Sequence, residues 1–383
     1  MDLNCPYFIA SKCRSCSLLH LSNASEILSS KQTLVNELLT EIDSNQVQIS
    51  KLWSPRKLFH SRAKARLTVT GTKDKPILGL VDKDFNGIEL ERCPLHLKLI
   101  NKIIAVLPKI ISELNLTPYN IKKRVGELKN LIVISNSEET EVILRFVLRS
   151  ENLVEKIKKA IPAMQQQVKE LSVISVNIQP IPHQIAEGEK EIILTEQEYI
   201  WQIYNKKKFP ITPKAFIQVT PETAEVLYEK VAKRIEELEI KSVLDLYCGN
   251  GGFAIHAAKA GAKAIGLEIS KQSVKCANLA VEKNGIAAVK FHSGSAEESL
   301  TKHNLKNLDA IICNPPRRGL GQETLSHILR IAPQYLIYSS CNIKTFLADM
   351  RTLRQVYRLK EIHPFDMFPL TNHVEILSIF EKI

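Results

Sequence analysis

The chain has 383 residues, of which 44% are hydrophobic and 24% charged, a balance typical of globular domains rather than disordered chains. At roughly 150 residues per domain, two or three domains are expected. The first residues lack the basic and apolar regions of a signal peptide, and no apolar run reaches the ~18 residues of a membrane span, so we expect a cytoplasmic protein without membrane association. The net charge of +11 fits either a solvated basic surface or a polyanionic partner such as nucleic acid.

Three segments of the chain differ in composition and hydrophobic pattern. Residues 1–45 are rich in cysteine and then show helical periodicity over Ser25–Ile42. Residues 46–209 combine short β-branched runs with two helical patterns, near Leu95–Leu114 and Leu153–Gln167, and predict a mixed α+β domain.

Cysteines cluster near the N-terminus, and a reducing compartment disfavours disulfides. Four thiolates, of Cys5, Cys13, Cys16 and Cys93, suit zinc or an iron–sulfur cluster. Their uneven spacing fits neither common zinc-finger pattern, and the Cys-Pro pairs at positions 5 and 93 favour iron–sulfur. Zinc and unligated thiols remain the alternatives. We predict that three other cysteines pack in the core: Cys248, Cys276 and Cys313.

In residues 210–383, apolar strands alternate with helical patterns, which predicts a doubly wound parallel sheet of the α/β class. Such sheets bind ligands beyond the carboxyl ends of their strands. The first strand runs into Asp245-Leu-Tyr-Cys-Gly249-Asn-Gly251, and the second ends at Glu268, a residue type that accepts hydrogen bonds from ribose hydroxyls. The turn lacks the full G-x-G-x-x-G spacing, so an S-adenosylmethionine enzyme is favoured over a dinucleotide enzyme, with a plain tight turn as the other reading.

Two later strands end in residues suited to methyl transfer. The fourth ends in Asn314-Pro-Pro-Arg317, and Arg317 stands where amino methyltransferases need an aromatic residue. The fifth is followed by Cys341, and Glu375 precedes the last strand. Uracil C5 attacks a sulfonium methyl only after a thiolate has added to C6, and a base must then remove the C5 proton. A free thiol is mostly protonated at neutral pH, so we expect a cationic neighbour, with Arg317 as the candidate.

At these residues the whole chain resembles the uracil-C5 RNA methyltransferase family, which includes rRNA and tRNA enzymes. The resemblance implies that Cys341 is the nucleophile and Glu375 the general base. It further implies that S-adenosylmethionine contacts fall on Gln218, Tyr247, Glu268 and Asn314. Many family members carry Asp at the position of Asn314. An Asn there keeps the hydrogen-bonding shape and loses the charge.

The resemblance also implies a 4Fe–4S cluster on Cys5, Cys13, Cys16 and Cys93, as in the rRNA branch of the family. The resulting fold is a Rossmann-like S-adenosylmethionine-dependent methyltransferase domain, a central α+β domain and an N-terminal iron–sulfur segment. With the first ligand at position 5, no additional β-barrel is expected ahead of the cluster. This architecture is similar to the branch that methylates 23S rRNA at uridine 747. The alternatives are another rRNA or tRNA uridine, or a non-catalytic iron–sulfur RNA-binding protein; no obligate protein partner is indicated.

Several surface features are compatible with RNA binding. Basic groups occur at residues 62–66, 122–124 and 206–208 and are equally compatible with solvated surface. Phe216 could stack on a flipped base, but the sequence favours a core aromatic at this position.

Overall fold

The computed structural model describes residues 3–21, 23–40, 42, 47–181, 187–295 and 307–383. Within these ranges no helix has the length and apolar character needed to cross a bilayer. The two largest sheets have eight and seven strands. The N-terminal segment packs against residues next to both of them.

The N-terminal segment forms a short helix and one long helix. The short α1 (Pro6–Ile9) is followed by α2 (Ala24–Leu38), which begins at Asn23, whose side chain accepts a hydrogen bond from the Glu26 amide. The predicted Ser25–Ile42 helix therefore exists but ends at Leu38, and residues 41 and 43–46 lie outside the described residues. From α2 onward, Val35 and Leu39 pack into the core of the C-terminal sheet.

The central sheet is mixed and has the order β4-β3-β2-β5-β6-β7-β8. All of β6 and nearly all of β5 are buried, which explains why these two strands read as continuous apolar runs. The two predicted helices are confirmed and pack on this sheet. The elements are β2 (Lys64–Gly71), β3 (Pro76–Val81), β4 (Gly87–Glu89), α3 (Lys98–Glu113), β5 (Leu128–Ser135), β6 (Val142–Leu148), α4 (Val154–Gln167), β7 (Leu171–Ile178) and β8 (Lys190–Ile193).

A two-stranded hairpin leads from the central sheet to the C-terminal part. It consists of β9 (Ile200–Tyr204) and β10 (Lys207–Ile211). Residues at its ends, Ile200 and Ile211, join the core of the central sheet, whereas Tyr204 and Phe209 join the core of the C-terminal sheet. The hairpin therefore connects the two cores.

The C-terminal sheet has the order β1-β16-β17-β15-β14-β11-β12-β13. Apolar cores cover both of its faces, as expected for a doubly wound sheet. Its elements are β1 (Gln48–Ile49), α5 (Pro221–Glu237), β11 (Ser242–Leu246), α6 (Gly252–Lys259), β12 (Lys263–Glu268), α7 (Lys271–Lys283), β13 (Val289–Ser293), β14 (Ala310–Cys313), α8 (Gln322–Ile331), β15 (Tyr335–Ser340), α9 (Ile343–Leu353), β16 (Tyr357–Phe365) and β17 (Glu375–Lys382).

The expectation of a wholly parallel sheet is wrong at one strand. β17 runs antiparallel to both of its neighbours, β15 and β16. The beginning of β17 therefore lies beside the end of β15, where Ser340 pairs with Ile376. This reversal brings Glu375 to the edge of the sheet at which the parallel strands end. At the far side, β1 pairs with β16, so residues 48–49 belong to this sheet.

Candidate active site and cysteine cavity

One cavity of about 650 Å³ opens at the carboxyl edge of the C-terminal sheet. Every predicted catalytic and cofactor residue lies on its wall: Gln218, Tyr247, Glu268, Asn314, Cys341 and Glu375. The parallel strands β11, β12 and β14 deliver three of these side chains because their carboxyl ends meet at this edge. The volume is within the usual range for small-molecule sites.

The glycine-rich turn after β11 forms the floor of the cavity. Tyr247, Gly249 and Gly251 all have positive φ, at 60°, 54° and 85°. The turn closes on the carboxylate of Glu268, which accepts hydrogen bonds from the Gly249 amide at 3.1 Å and the Ser270 amide at 2.8 Å. Glu268 is thereby fixed in orientation before any ligand arrives.

Asp245, the acid that precedes the glycines, does not face the ligand space. It is completely buried, and one carboxylate oxygen accepts from the Ala254 amide near the start of α6, at 2.9 Å. Burial raises the pKa of Asp245 to about 8, so the side chain holds a proton at neutral pH. Asp245 therefore acts as a structural link between the turn and α6.

The thiol and the carboxylate face the same space from adjacent strands. Cys341 follows β15 and is half-buried, whereas Glu375 is 2% exposed and accepts a hydrogen bond from the Ser339 hydroxyl at 2.5 Å. The pairing of Ser340 with Ile376 sets the distance between the two segments. Thus the structure brings together the two residues that the chemistry requires.

The electrostatics of the pair suit an acid–base role. Burial raises the pKa of Glu375 to about 7, and the hydrogen bond from Ser339 acts in the opposite direction. Burial and the charge of Glu375 raise the pKa of Cys341, while Arg317, through its charge and a hydrogen bond, lowers it. The predicted cation is therefore beside the thiol, although its effect does not exceed that of burial.

The structure corrects the prediction for one residue of the cavity and adds a second residue that the sequence did not indicate. The expectation that Phe216 is a core aromatic is wrong, because its side chain is 68% exposed on the cavity wall. Ser339, which holds Glu375, carried no signal of its own beyond its position before Cys341. The packing interpretation of the three remaining cysteines is confirmed, since Cys248, Cys276 and Cys313 are all buried.

A second cavity, of about 510 Å³, contains the four cysteines predicted as ligands. Cys5 and Cys16 are buried, Cys13 and Cys93 half-buried, and the cavity shares Arg317 and Phe368 with the first one. In the described part of the chain, no three His, Cys, Asp or Glu side chains form a group that would hold a metal ion. The four thiols thus line a common cavity.

The basic group at residues 62–66 lines the same cysteine cavity, through Arg62, Lys64 and Arg66. The other two predicted basic groups lie on the surface: Lys122, Lys123, Arg124 and Lys206 are exposed on turns, and Lys208 is exposed on β10. Positive charge is therefore present in the cysteine cavity as well as on the outer surface.

Comparison with known proteins settles the class of enzyme. The profile of the tRNA (uracil-5-)-methyltransferase family matches residues 23–383, almost the whole chain. The chain belongs to this family. It is a uracil-C5 methyltransferase with the mixed α/β fold of the S-adenosylmethionine-dependent enzymes, as the motifs around Cys341 and Glu375 predicted.

Individual relatives cover nearly the full length. The chain is 37% identical to the 23S rRNA (uracil(747)-C(5))-methyltransferase RlmC of Yersinia enterocolitica over 380 residues, which are 99% of this chain and 100% of that protein. It is 36% identical to the enzyme of the same name from Xenorhabdus nematophila, over 98% of this chain and 99% of that one. Among solved structures, the tRNA (uracil-54, C5)-methyltransferase of Pyrococcus abyssi, in complex with S-adenosyl-L-homocysteine, matches with a TM-score of 0.78 and 27% identity, over 95% of this chain and 85% of that one.

Proposed function

We propose that this enzyme methylates C5 of a uridine in 23S rRNA, at the position equivalent to uridine 747, with S-adenosylmethionine as the methyl donor. The observation that carries the proposal is the placement of Cys341, Glu375 and the four cofactor candidates on one cavity wall. Relatives with this rRNA activity in their names align over the full chain at higher identity than the tRNA enzyme does, which favours rRNA over tRNA. An enzyme that methylates rRNA during ribosome assembly would act in the cytoplasm.

The reaction begins at the thiol. The Cys341 thiolate, stabilised by Arg317, adds to uracil C6, and the ring electrons move to give an enolate. C5 then attacks the sulfonium methyl, forming the C–C bond while the C–S bond breaks and S-adenosylhomocysteine leaves. The C5 proton passes to the Glu375 carboxylate, the C6–S bond breaks, and 5-methyluridine and the free thiolate are released.

The donor would lie along the glycine-rich turn. Glu268 is positioned to accept from the ribose hydroxyls, and Gly249, which has no Cβ and has open space beside it, allows close approach of the ligand. Gln218, which contacts Tyr228, and Asn314 provide side-chain amides to the same cavity. Our proposed S-adenosylmethionine site consists of Gln218, Tyr247, Glu268 and Asn314.

We further propose that Cys5, Cys13, Cys16 and Cys93 hold a 4Fe–4S cluster. The four thiols line one cavity of about 510 Å³, and besides burial the charges of Cys93, Cys13 and Cys5 each raise the pKa of Cys16, so the thiols lie near one another. The uneven cysteine spacing and the Cys-Pro pairs at positions 5 and 93 favour an iron–sulfur cluster over zinc. Methyl transfer needs no electrons, so the role proposed for the cluster is structural.

We propose a separate role for each of the three segments of the chain. Residues 1–45 would form the iron–sulfur segment, residues 46–209 the central RNA-binding domain that supplies Cys93, and residues 210–383 the methyltransferase domain. The basic residues Arg62, Lys64 and Arg66 line the cysteine cavity, which shares Arg317 and Phe368 with the active-site cavity, and they would contact the backbone of an RNA strand with a flipped uridine.

The test uses anaerobically purified enzyme, S-adenosylmethionine and either unmodified 23S rRNA or unmodified tRNA, followed by mapping of 5-methyluridine. We expect one methylated uridine in 23S rRNA and none in tRNA. Cys341→Ala should remove all activity while retaining the fold, because the ring is no longer activated. Methylation by this variant would eliminate the thiol mechanism, and preferential methylation of tRNA would refute the proposed substrate.

A further inference from the structure

The buried ammonium group of Lys31 is distant in sequence from the residues of the active-site loop but contacts that loop in space. Lys31 stands in the apolar stripe of α2 between Ile27 and Val35, and its side chain is 0% exposed. Burial lowers the pKa of Lys31, and the nearby Asp366 acts in the opposite direction. A buried charge persists in a fold only where partners compensate for the lost water.

All three N–H donors of this ammonium go to one loop, formed by residues 366–373. Lys31 Nζ lies 2.5 Å from Asp366 Oδ1, 3.0 Å from the Phe368 carbonyl and 3.0 Å from the His373 carbonyl. An ammonium has no further donors, so its hydrogen-bonding capacity is fully used. The same loop is held on its other side by Thr223 and Thr220, whose hydroxyls donate to the carbonyls of Asp366 and Met367.

Each end of the 366–373 loop leads to a reacting group. The Phe368 ring lies under the Arg317 guanidinium, with the carbon centre 5.9 Å from the ring centroid, and Arg317 hydrogen-bonds the Cys341 thiol. At the other end, His373 is two residues before Glu375. The loop thus connects one lysine to the cation beside the nucleophile and to the base.

The N-terminal segment makes a second contact with the loop. The amide of Leu18 donates to the carbonyl of Leu370 at 3.1 Å, and Leu370 is fully buried although its φ is 66°. A bulky residue in this conformation needs support from its surroundings. The cysteine-rich segment and α2 together provide that support.

We propose that Lys31 is a positioning residue for methyl transfer, which fixes Arg317 and Glu375 through the 366–373 loop. The inference rests on the proposed function, because it assigns Lys31 to the same thiol and base. It predicts that loss of the ammonium disturbs the geometry of the reaction more than the binding of either substrate, since a misplacement of about 1 Å can cost about 100-fold in rate.

The first experiment compares Lys31→Met with Lys51→Met, which alters an exposed lysine just after β1. For Lys31→Met we expect kcat to fall about 10- to 100-fold, with nearly unchanged KM for the rRNA fragment and unchanged affinity for S-adenosylmethionine. A covalent protein–RNA adduct should accumulate, because Glu375 removes the C5 proton more slowly. The Lys51→Met enzyme should match the wild type.

The second variant, Lys31→Met/Asp366→Leu, separates positioning from charge compensation. Replacing a buried ion pair by apolar residues commonly restores stability, so the melting temperature should return towards that of the wild type. The two loop carbonyls still lack their donor, so kcat should stay low. Recovery of kcat together with stability would overturn the proposal, as would unfolding of both variants, since Lys31 would then be purely structural. Wild-type enzyme run in parallel reports separately on the proposed function.

Discussion

Glu375 combines two properties that a general base near neutral pH needs. Its carboxylate is nearly inaccessible to water, which raises its pKa to about 7, and it retains one hydrogen bond, from Ser339. A base whose pKa lies near the working pH is ionised in part of the population and still accepts a proton strongly. The neighbouring charge of Arg317 keeps the thiol of Cys341 from an even higher pKa.

Glu375→Gln tests the base directly. Gln is nearly isosteric with Glu but cannot accept the C5 proton, so methyl transfer should proceed and release of the thiol should stall. We expect a protein–RNA adduct that survives a denaturing gel, in contrast to Cys341→Ala, which should form none. Absence of an adduct together with normal turnover would show that another group removes the proton.

Ser339→Ala should shift the pH dependence of product release. The Ser339 hydroxyl donates to the ionised carboxylate and lowers its pKa, so its loss raises the pKa of Glu375 further. In the wild type, release should increase with pH through about 7, and in Ser339→Ala the midpoint should move to higher pH. Single-turnover rates measured across this range give the midpoint. Ser340→Ala is the matched control, because the Ser340 hydroxyl bonds Asn342 instead; an equal shift there would contradict the assignment.

Among the secondary-structure elements, the turn after β11 shows most directly how backbone conformation creates the cofactor site. Gly249 and Gly251 both have positive φ, but their surroundings differ. A Cβ on Gly251 would lie 2.5 Å from Cζ of Phe291, whereas a Cβ on Gly249 would have no atom within 4 Å. Backbone strain therefore affects both positions, and steric overlap affects Gly251.

Alanine substitutions at these two positions should separate strain from overlap. Gly249→Ala should cost about 1–2 kcal/mol of stability, the penalty for a left-handed alanine. Gly251→Ala should cost about 1–3 kcal/mol more, because Phe291 must move. Urea unfolding gives the difference, and calorimetry should show weaker binding of S-adenosylmethionine to Gly251→Ala. Equal stabilities of the two variants would contradict the steric argument.

Sequence patterns identified most elements but not their directions. The apolar runs located β11 to β15 and β17, and both helices of the central domain, because burial on one or two faces determines such runs. Nothing in an apolar run encodes strand direction, so the antiparallel β17 was missed. The strand β16 also escaped, since Lys360, Glu361, His363 and Pro364 make it resemble a loop.

Individual site residues were predictable where the chemistry demands a residue type, as at Cys341 and Glu375. Phe216 was misjudged because aromatic side chains are usually buried, and only the tertiary structure shows that it lies exposed on the cavity wall. Lys31 gave one usable signal, a charge four residues from Ile27 and from Val35 in a buried stripe, but its partners are more than 330 residues away and could not be inferred.

At the scale of the whole molecule, the N-terminal segment is an integral part of the catalytic half. The segment places three cysteines, Cys5, Cys13 and Cys16, in the cavity beside Arg317 and Phe368, and α2 contributes Val35 and Leu39 to the core under the C-terminal sheet. Cys93 comes from the central domain. A cluster on the four thiols would therefore link the N-terminal segment to the central domain.

Protein purified without oxygen should be brown and contain iron and acid-labile sulfide, as expected for thiolate-ligated iron–sulfur. Cys93→Ser should lose the colour and lower the melting temperature, because one ligand and the link to the central domain are removed. Cys276→Ser, at a buried cysteine away from that cavity, should keep the colour. Stoichiometric zinc with no iron would disprove the cluster.

The antiparallel ladder between β15 and β17 has a consequence for how this enzyme can vary. Since Ser340 is hydrogen-bonded in register with Ile376, the separation of nucleophile and base is determined by neighbouring strands and not by the chain that joins them. The connection between α9 and β16, around residues 354–356, could therefore gain or lose residues during divergence without altering the spacing of the two reacting groups.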